Sequence, residues 1–433
     1  MAPANVGSRR NWLALLIVAG GALATASAAP AAEGGGKLIA CEEPGWAQWR
    51  GPRRDGVSDE AGLLPSWPEG GPKLLWTASG IGRGWSSPII AGGTIFLTGD
   101  VGRQLRVYAM SMGGKPIWQV ANGQAWKKPF PGARAACCYS AGRLYNMNGH
   151  GRVVCLEAAT GKEIWAVEAF KRFAAKNPYF GGAECLLVDG PRLIVSPGGA
   201  KGLLAALDKE TGQTVWASDV GAEGDETAGY SSPILVEYGG RRQVIATSSS
   251  RTIAADAKTG KTLWTYDLTW NKQSNSTIPV FRGDSVFVTN AMRTDTTFYR
   301  LRIAPDNSAA KKVWSIKVSN GHGSILCVGG RLYGASAMGI KGWASIDADS
   351  GKVHYVKADL PVGSVIHVDR RLYCLSEKGT MALLKPGEDA FETTGQFELV
   401  KGKKDVWAHP VVLNGRLYLR YHEKLYCYDV RKG

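Results

Sequence analysis

The chain has 433 residues, of which 44% are hydrophobic, and its formal net charge at pH 7 is +15. That hydrophobic content is sufficient for a large buried core, and the lysines and arginines are dispersed among acidic residues, which favours a generally basic surface over nucleic-acid binding. The sequence contains no C-x-x-C-H, C-x-x-C or H-E-x-x-H pattern, so neither covalent c-type haem nor a zinc site is supported.

The first segment has the pattern of a cleaved export signal. Arg9 and Arg10 precede an apolar run over residues 13–26, and small residues follow it. The run is shorter than the ~20 residues that span a bilayer, and no later stretch is apolar enough to do so. We therefore predict a signal peptide over residues 1–29 and a periplasmic or otherwise extracytoplasmic protein. The two arginines are compatible with export by the Sec or the twin-arginine route.

A leader segment, residues 30–71, separates the signal from the rest of the chain. Residues 38–41 resemble the processing box of a lipoprotein, which normally adjoins the apolar run directly. Here residues 30–37 intervene. A lipid anchor at Cys41 is therefore not favoured.

Residues 72–433 are built from repeats of one motif, A-A-T-G-K-E-I-W, which occupies residues 158–165. Each repeat combines three short segments of alternating apolar residues with the motif strand, and glycine turns separate them, which predicts four antiparallel strands. The motif copies recur 41 to 51 residues apart and end at Trp76, Trp118, Trp165, Trp216, Trp264, Trp314 and Tyr355. We predict a single all-β domain, an eight-bladed β-propeller.

The count of eight blades depends on the two ends of this domain. The seven motif copies and a degenerate one near residues 396–400 give eight fourth strands. The last unit, residues 407–430, contains only three strands. Residues 73–77 can supply its missing outer strand, which would close the ring and remove an open sheet edge.

The aromatic residues that end the motif copies are predicted to be structural. The motif glycine, for example Gly161, can adopt a positive φ without a Cβ clash. The tryptophan that follows has a large apolar surface and one N–H that needs an acceptor. We therefore predict that the seven aromatic residues are wedges between adjacent blades.

The candidate binding surface lies at the opposite end of each repeat. Proline occupies the same column of four first strands, at Pro88, Pro233, Pro279 and Pro410. Because proline lacks a ladder donor, these are edge strands that line the axial channel. Two columns just upstream should surround the channel mouth and bind a ligand. They contain Trp85, Ser87, Arg134, Glu184, Tyr230, Ser232, Ser276, His322, Trp407 and His409.

Four connections between blades are long, at residues 119–133, 166–181, 217–229 and 265–275, and all should emerge beside the channel mouth. A short helix is predicted over residues 167–176. The aromatic and basic residues of these loops suit stacking on sugars or docking of a partner, so an envelope protein or an acidic glycan is the expected partner. The predicted loop-face residues are Trp126, Lys127, Phe130, Lys171, Arg172, Tyr179, Trp270 and Lys272.

The cysteines leave three alternatives open. Cys137 and Cys185 fall in the same predicted column of adjacent inner strands, which allows an inter-blade disulfide. Cys137 and Cys138 could form a vicinal one instead. Buried free thiols are the third alternative, and sequence alone does not fix the pairing.

The motif pattern acid-x-x-T-G-K-x-x-W resembles the tryptophan-docking repeat of the PQQ-like, quinoprotein alcohol dehydrogenase-like eight-bladed propellers. The resemblance extends from about Trp46 to the C-terminus. The stretch W-A-Q-W-R-G-P, residues 46–52, is similar to a leader of exported PQQ-like repeat proteins. The resemblance implies the propeller fold. It leaves function open, since the family includes quinone-dependent alcohol dehydrogenases and non-catalytic envelope proteins such as the BamB-type assembly factor.

The resemblance implies no catalytic residue for this chain. The dehydrogenases hold PQQ through calcium bound by Glu, Asn and Asp, use an Asp base and often cap PQQ with a vicinal disulfide. Only Cys137-Cys138, Glu184 and Asn275 invite comparison, and no metal ligand is assigned. The favoured hypothesis is a non-catalytic binding protein of BamB-like kind. The alternative is a PQQ- and calcium-dependent oxidoreductase.

Overall fold

The structure is a computed structural model that describes residues 1, 35–268, 275–290, 297–318, 320–337, 339–403 and 405–432. Within it, Gly34–Gly433 forms one compact unit. The predicted signal peptide lies outside the described residues apart from Met1. Among the residues that are described, no helix combines the length and the apolar character needed to cross a membrane.

Short apolar stretches bounded by glycine turns form strands throughout the chain. They assemble into eight antiparallel sheets, each built from four strands plus one added strand in a single case. The only α-helix in the described ranges is α1, Ala169–Arg172. It is shorter than the helix predicted over residues 167–176, because the chain turns away at Ala174, which has a φ of 52°. The predicted eight-bladed, all-β propeller is confirmed.

Two strands precede the first blade, β1 (Lys37–Leu38) and β2 (Lys73–Ala78). In blades 1 to 7 the four strands follow chain order from the channel outwards. Blades 1 to 4 consist of β3 (Ile89–Ala91), β4 (Thr94–Val101), β5 (Gln104–Ser111), β6 (Pro116–Gln124); β7 (Cys138–Ser140), β8 (Arg143–Met147), β9 (Arg152–Glu157), β10 (Glu163–Glu168); β11 (Leu187–Asp189), β12 (Arg192–Val195), β13 (Ala205–Asp208), β14 (Thr214–Ala217); and β15 (Ile234–Tyr238), β16 (Arg241–Thr247), β17 (Arg251–Asp256), β18 (Thr262–Asp267).

Blades 5 to 8 follow the same plan. They consist of β19 (Val280–Arg282), β20 (Ser285–Asn290), β21 (Thr297–Ile303), β22 (Ala310–Ile316); β23 (Leu326–Val328), β24 (Arg331–Ser336), β25 (Gly342–Asp347), β26 (Val353–Lys357); β27 (Gly363–Val368), β28 (Arg371–Ser376), β29 (Thr380–Pro386), β30 (Phe391–Glu398); and β31 (Val411–Leu413), β32 (Arg416–Tyr421), β33 (Lys424–Asp429).

The ring closes between the two ends of the domain. Strand β2 pairs antiparallel with β33, with Lys73 opposite Asp429 and Ala78 opposite Leu425. It thereby becomes the outer strand of blade 8, whose other three strands come from the C-terminus. The closure predicted from residues 73–77 is confirmed.

The hydrophobic core lies between the faces of adjacent blades. Ile245 and Ala254 of blade 4, for example, pack with Val286 and Leu301 of blade 5 in one buried cluster. Because each sheet is covered on both faces, its middle strands are buried almost continuously, as along β9.

The outer parts of neighbouring blades are joined by a repeated contact, which we call the docking rim. Trp216 of blade 3 is buried and its Nε1 donates to the carbonyl of Ala257 in blade 4 at 3.2 Å. A Cβ on Gly260 would lie 2.5 Å from that indole ring. The glycine therefore provides room for the ring as well as a φ of 77°. The same contact occurs for Trp76–Gly114, Trp118–Gly161, Trp165–Gly212 and Trp314–Gly351.

Two members of the docking rim depart from this pattern. In blade 5 the motif reads N-S-A-A-K-K-V-W, so Ala310 takes the glycine's place, and the Nε1 of Trp264 has no acceptor among the described residues. Tyr355 replaces tryptophan in blade 6, and its hydroxyl donates to the carbonyl of Gly387 at 2.8 Å. The degenerate motif of blade 5 thus coincides with an indole N–H that has no acceptor among the described residues, whereas Tyr355 keeps a hydrogen bond.

The first part of the described leader, residues 36–54, lies against the inner strands, whereas its last part packs against the outer strand of blade 7, with Trp67 against Gly395 and Phe397. Its strand β1 pairs with the inner strand β15, with Lys37 opposite Glu237. Further along, Trp46 exchanges two backbone hydrogen bonds of 2.9 Å with Ile90 of β3. These pairings occupy edges that the inner strands would otherwise expose.

The leader contacts every blade of the ring. Its backbone or side chains hydrogen-bond to residues in or beside all eight inner strands. In blade order these partners are Ile90, Tyr139, Leu186, Leu235, Gly283, Ile325, His367 and Gly415. The segment is therefore an integral part of the propeller.

Two buried arginines of the leader fill the centre of the channel. Arg50 and Arg54 are 1% and 2% exposed. Arg50 donates to the carbonyl of Ile325 at 3.0 Å, and Arg54 donates to the carbonyls of Leu186 and Cys185 at 2.9 and 2.6 Å. Burial lowers the pKa of both guanidinium groups. The leader thus plugs the channel and satisfies carbonyls that border it.

Candidate functional site

A pocket of about 350 Å³ opens where the inner strands begin. One of its lining residues, Trp49, belongs to the leader. We call this pocket the mouth pocket. It is lined by Trp49, Trp85, Ser87, Phe130, Arg134, Phe180, Ala183, Cys185, Tyr230, Ser232, Ser276, Gly321, His322, Trp407 and His409.

Nine of the ten residues predicted for the channel mouth line this pocket. They occupy the positions four and two residues before the inner strands. Trp85 and Ser87, for example, precede β3, which begins at Ile89. The four column prolines directly precede their strands, as Pro88 precedes Ile89.

Glu184 lies outside the lining of the pocket. Strand β11 begins at Leu187, so the positions equivalent to Trp85 and Ser87 are Ala183 and Cys185. The predicted register of the third repeat therefore differs from the structure by one residue. Arg192 of β12 lies nine residues after Ala183, as Arg143 lies nine after Arg134, and this spacing is the sequence signal that gives the correct register.

The carboxylate of Glu184 is instead buried within the propeller. Both of its oxygens accept from the backbone N–H of Ser196, at 2.9 and 2.8 Å. Burial raises the pKa of Glu184 to about 7.

Two further aromatic lining residues, Trp49 and Phe180, were not among the residues predicted for the channel mouth. Trp49 comes from the leader, outside the repeats, so no repeat alignment can place it. Phe180 comes from the long connection between blades 2 and 3. Its ring lies 5.8 Å from that of Phe130 and 5.5 Å from that of Tyr230, measured between centroids.

Aromatic rings form most of the wall. Trp85 and Trp407 lie 4.7 Å apart between centroids, and Phe130 lies 5.5 Å from Trp407. Trp49 meets His409 edge to face at 5.0 Å. Such rings provide a large apolar contact area.

Arg134 is the only lysine or arginine among the lining residues. Its Nη1 donates to the carbonyl of Gly132 at 2.6 Å, and its Nη2 donates to those of Pro129 and Phe130 at 3.1 and 2.5 Å. The guanidinium carbon lies 5.3 Å from the centroid of Trp85. Burial lowers the pKa of Arg134 to about 10, so the side chain stays charged at pH 7.

The two histidines of the pocket are neutral at pH 7. Burial lowers the pKa of His322, and burial together with the charge of Arg50 lowers that of His409 further. The Nδ1 of His409 lies 3.4 Å from Nη1 of Arg50, which can only donate, so Nδ1 accepts and Nε2–H faces the carbonyl of His322 at 3.2 Å.

The donor set of the pocket does not fit the calcium site of the PQQ dehydrogenases. No carboxylate lines the mouth pocket, whereas Ca²⁺ sites are built from carboxylate and carbonyl oxygens. Glu184 and Asn275 both lie outside the lining. Within the described ranges, no group of three or more His, Cys, Asp or Glu side chains could hold a metal ion.

The eight cysteines are free thiols. Cys137 and Cys138 are buried at the start of the inner strand of blade 2, outside the pocket lining. Because of the register difference described above, Cys185 lies two residues before its inner strand, whereas Cys137 lies one residue before its own. Its Sγ accepts from the backbone N–H of Ala136 at 3.3 Å.

The predicted loop-face residues divide into three groups. Phe130 forms part of the pocket wall, and Tyr179 stands beside it, 74% exposed, with its ring 5.0 Å from that of Phe180. Lys127 and Lys171 are exposed, and Trp126 donates from Nε1 to the carbonyl of Pro129 at 3.1 Å.

The third group is Arg172, which donates to the carbonyl of Gly212 on the docking rim at 2.7 Å. Trp270 and Lys272 lie outside the described residues.

Comparison with known proteins identifies the family. The family model described as outer membrane protein assembly factor BamB matches residues 103–354, more than half of the chain. A BamB from Nitrosomonas eutropha is 31% identical over 151 residues, which cover 35% of this chain and 31% of that protein. A lanthanide-dependent methanol dehydrogenase from Methylacidiphilum fumariolicum is 30% identical over 162 residues, 33% of this chain and 25% of that enzyme. The chain thus matches less than a third of the length of these relatives.

Solved structures show the same fold at low identity. BamB from Moraxella catarrhalis superimposes with a TM-score of 0.59 and 13% identity, over 83% of this chain and 98% of that one. Quinohemoprotein alcohol dehydrogenase from Comamonas testosteroni gives a TM-score of 0.61 and 12% identity, over 91% and 82%. The chain belongs to the family of PQQ-like repeat propellers whose model is that of the outer membrane protein assembly factor BamB.

Proposed function

We propose that the protein is an exported, non-catalytic binding scaffold that recognises a protein partner through the mouth pocket and the loops around it. The observation that carries this proposal is the composition of the pocket. Six aromatic rings and one half-buried arginine line it, and no carboxylate does. Tryptophan, tyrosine and arginine are the side chains that dominate binding energy at protein interfaces.

The titratable groups of the pocket favour binding over catalysis. Burial raises the pKa of the Cys185 thiol to about 11, so it is not a thiolate at pH 7. The two histidines have lowered pKa values, and no carboxylate lines the pocket to act as a base. No pair of lining groups thus has the arrangement of a general acid and base.

The rim of the pocket favours a macromolecular partner. Tyr179 and Phe130 are 74% and 46% exposed although both are large aromatic side chains. The connections at 119–133 and 166–181 carry them, and both rings adjoin that of Phe180, at 5.8 and 5.0 Å between centroids. A relative named as an assembly factor supports a protein partner, and a glycan is the competing occupant.

The predicted signal peptide supports a periplasmic or otherwise extracytoplasmic site of action. Fractionation of cells that produce the full chain should place the processed protein outside the cytoplasm.

Site-specific photo-crosslinking tests the proposal directly. A photoreactive phenylalanine analogue at Tyr179 should form a protein adduct in intact cells, whereas the same analogue at Ile117, which is 53% exposed on the outer strand of blade 1, should not. Trp407→Ala should abolish the adduct. Equal adducts at both positions would contradict a specific interface, and a protein-free glycan adduct would replace the proposed partner.

Reconstitution with PQQ and Ca²⁺ tests the alternative function. We expect no PQQ-dependent change in absorption and no dye-linked oxidation of alcohols. Oxidation that Arg134→Gln abolishes would overturn the non-catalytic proposal in favour of a quinoprotein oxidoreductase.

A further inference from the structure

We propose that a groove between blades 3 and 4, on the face opposite the mouth pocket, binds a phosphate monoester through Arg192 and Lys258. We call it the turn groove, because the turns of these two blades form most of its lining. Its volume is about 730 Å³. The proposal does not depend on the function proposed for the mouth pocket.

The turn groove lies where the inner strands end, whereas the mouth pocket lies where they begin. Strand β11 ends at Asp189 and strand β15 ends at Tyr238, and the turns that follow them, residues 190–191 and 239–240, line the groove. The turn after β17 adds Lys258. The groove is therefore shared by two adjacent blades.

A comparison of neighbouring blades shows what is unusual at this place. Between blades 2 and 3, Arg143, the first residue of β8, pairs with Glu210, the second residue after β13, at 3.1 Å. One blade further, Arg192 is the first residue of β12 and Lys258 is the second residue after β17. The positions that hold a cation and an acid between blades 2 and 3 thus hold two cations between blades 3 and 4.

Neither of these two cations is paired within the chain. No hydrogen bond or ion pair joins the side chain of Arg192 or Lys258 to a residue that the structure describes. The Nε–H of Arg192 is buried and has no acceptor in this part of the chain. Buried donors are normally satisfied, so an acceptor from outside the chain fits beside this arginine.

Two carboxylates of the groove are already engaged. Asp189 has a side chain that is only 6% exposed, and it pairs with Nη2 of Arg242 at 2.5 Å. Oδ1 of Asp256 accepts from two backbone N–H groups of its own turn, at 3.0 and 2.9 Å. Its Oδ2 lies 3.9 Å from Nη1 of Arg241. Neither carboxylate neutralises Arg192 or Lys258 by direct contact.

The charge that remains is positive. Once the pairs of Asp189 and Asp256 are set aside, Arg192 and Lys258 face one further lining carboxylate, the exposed Glu42 of the leader. A phosphate monoester carries a charge of about −1.5 to −2 at pH 7 and has three acceptor oxygens, so it matches two adjacent cations better than a single carboxylate does. The planar guanidinium group also fits phosphate oxygens in pairs.

The size of the groove indicates that the phosphate belongs to a larger molecule. A volume of about 730 Å³ lies in the range of sites for small organic ligands. A sugar phosphate and the headgroup of a phosphate monoester lipid share the required chemistry.

Three matched probes test the proposal on the full-length processed protein: glucose 6-phosphate, glucuronate and glucose. They share a hexose ring and carry a phosphate, a carboxylate or a hydroxyl group at C6. Calorimetric titration at low ionic strength should give glucose 6-phosphate an affinity at least about tenfold higher than glucuronate, as expected of additional charge-assisted hydrogen bonds. Equal affinities of these two would overturn the selection of phosphate. Absence of binding by glucose 6-phosphate would overturn the site.

Two variants locate the site. Arg192→Gln should weaken glucose 6-phosphate at least about tenfold. Lys258→Glu provides the carboxylate that Glu210 supplies one blade earlier. It should abolish binding without lowering the melting temperature, because Arg192 gains an ion-pair partner. Binding that survives Lys258→Glu would refute the assignment.

Two controls separate this site from general attraction and from the mouth pocket. Lys162→Glu makes the same change in net charge in an exposed turn of blade 2 and should bind glucose 6-phosphate as the wild type does. A loss equal to that of Lys258→Glu would reduce the binding to the charge of the whole protein. Trp407→Ala, which should abolish the mouth adduct, should also leave this affinity unchanged. The two proposals can therefore fail separately.

Vesicle flotation distinguishes the two sources of the phosphate. Retention on vesicles of phosphatidylcholine with phosphatidic acid, but not on phosphatidylcholine alone, would assign the groove to a lipid headgroup, provided that Arg192→Gln removes it. Binding of glucose 6-phosphate without retention on either vesicle would assign it to a soluble phosphorylated sugar.

Discussion

The docking rim and the mouth pocket are built from opposite principles. On the rim, one pair of residue types, tryptophan and the glycine of the next blade, recurs around the ring, as in Trp216 on Gly260. At the mouth, equivalent positions hold different residues in different blades, such as Trp85, Arg134 and His322, and the leader adds Trp49. The repeated contacts of the docking rim therefore contribute to stability in several blades. The varied residues of the mouth pocket instead form one chemically specific surface. Substitutions in the two regions should separate these roles.

The largest effect is expected on the rim. Trp216→Ala should lower the free energy of unfolding by about 3–5 kcal/mol, because it removes a buried wedge and its hydrogen bond to Ala257. Denaturant titration measures the change. Ile117→Ala on the exposed outer strand of blade 1 should stay within about 0.5 kcal/mol. Similar losses in both variants would show that the rim has no special role.

A pH dependence is expected beside the pocket. The pKa of Glu184 is about 7 in the folded state and 4.5 in its ordinary state, so the folded protein binds this proton more tightly. Its contribution to stability is present below about pH 4.5 and is lost as pH rises towards 7. Glu184→Gln keeps an acceptor for the N–H of Ser196 and removes this loss.

The stability of Glu184→Gln relative to the wild type should accordingly rise by up to about 3 kcal/mol between pH 4.5 and pH 8. Unfolding curves of both proteins across that range measure the difference. Parallel pH profiles would contradict a buried, protonatable Glu184.

Two glycine variants in blade 4 isolate the wedge contact. Gly240 and Gly260 have φ values of 71° and 77°, but only Gly260 faces an indole ring, since a Cβ at Gly240 would meet no atom within 4 Å. Gly240→Ala should cost about 1–2 kcal/mol from backbone strain alone. Gly260→Ala should cost about 1–3 kcal/mol more, because the methyl group displaces Trp216. Equal melting temperatures would contradict the space requirement.

The smallest effect compares two rim tryptophans. Trp216→Phe loses a hydrogen bond to Ala257 and should cost about 1 kcal/mol more than Trp264→Phe, whose indole N–H has no acceptor among the described residues. Both variants keep an aromatic ring. A larger loss for Trp264→Phe would show that blade 5 docks in another way.

The repeat pattern predicted the architecture because each blade contains its own strand and turn signals. The eight blades, their closure by β2 and the position of the mouth residues before the inner strands follow from spacing within a repeat. The one register difference, at Glu184, occurred where the connection before β11 is long and the strand is only three residues. The nine-residue spacing between Ala183 and Arg192 of β12 indicates the correct register.

The contents of the channel could not be predicted in this way. No pattern in residues 46–54 predicts that Arg50 and Arg54 are buried, since arginines are normally exposed. In the folded protein their guanidinium groups donate to the carbonyls of Ile325, Leu186 and Cys185, which lie directly before the inner strands.

The sequence by itself determined the number of blades, the tryptophan wedges and most residues of the mouth, since local periodicity encodes strands and turns. Only the tertiary structure decided that the leader pairs with the inner strands and that Trp49 lines the pocket. The physical reason is that these contacts join segments far apart in the chain. Each depends on unpaired backbone groups and empty space that exist only once the ring has closed.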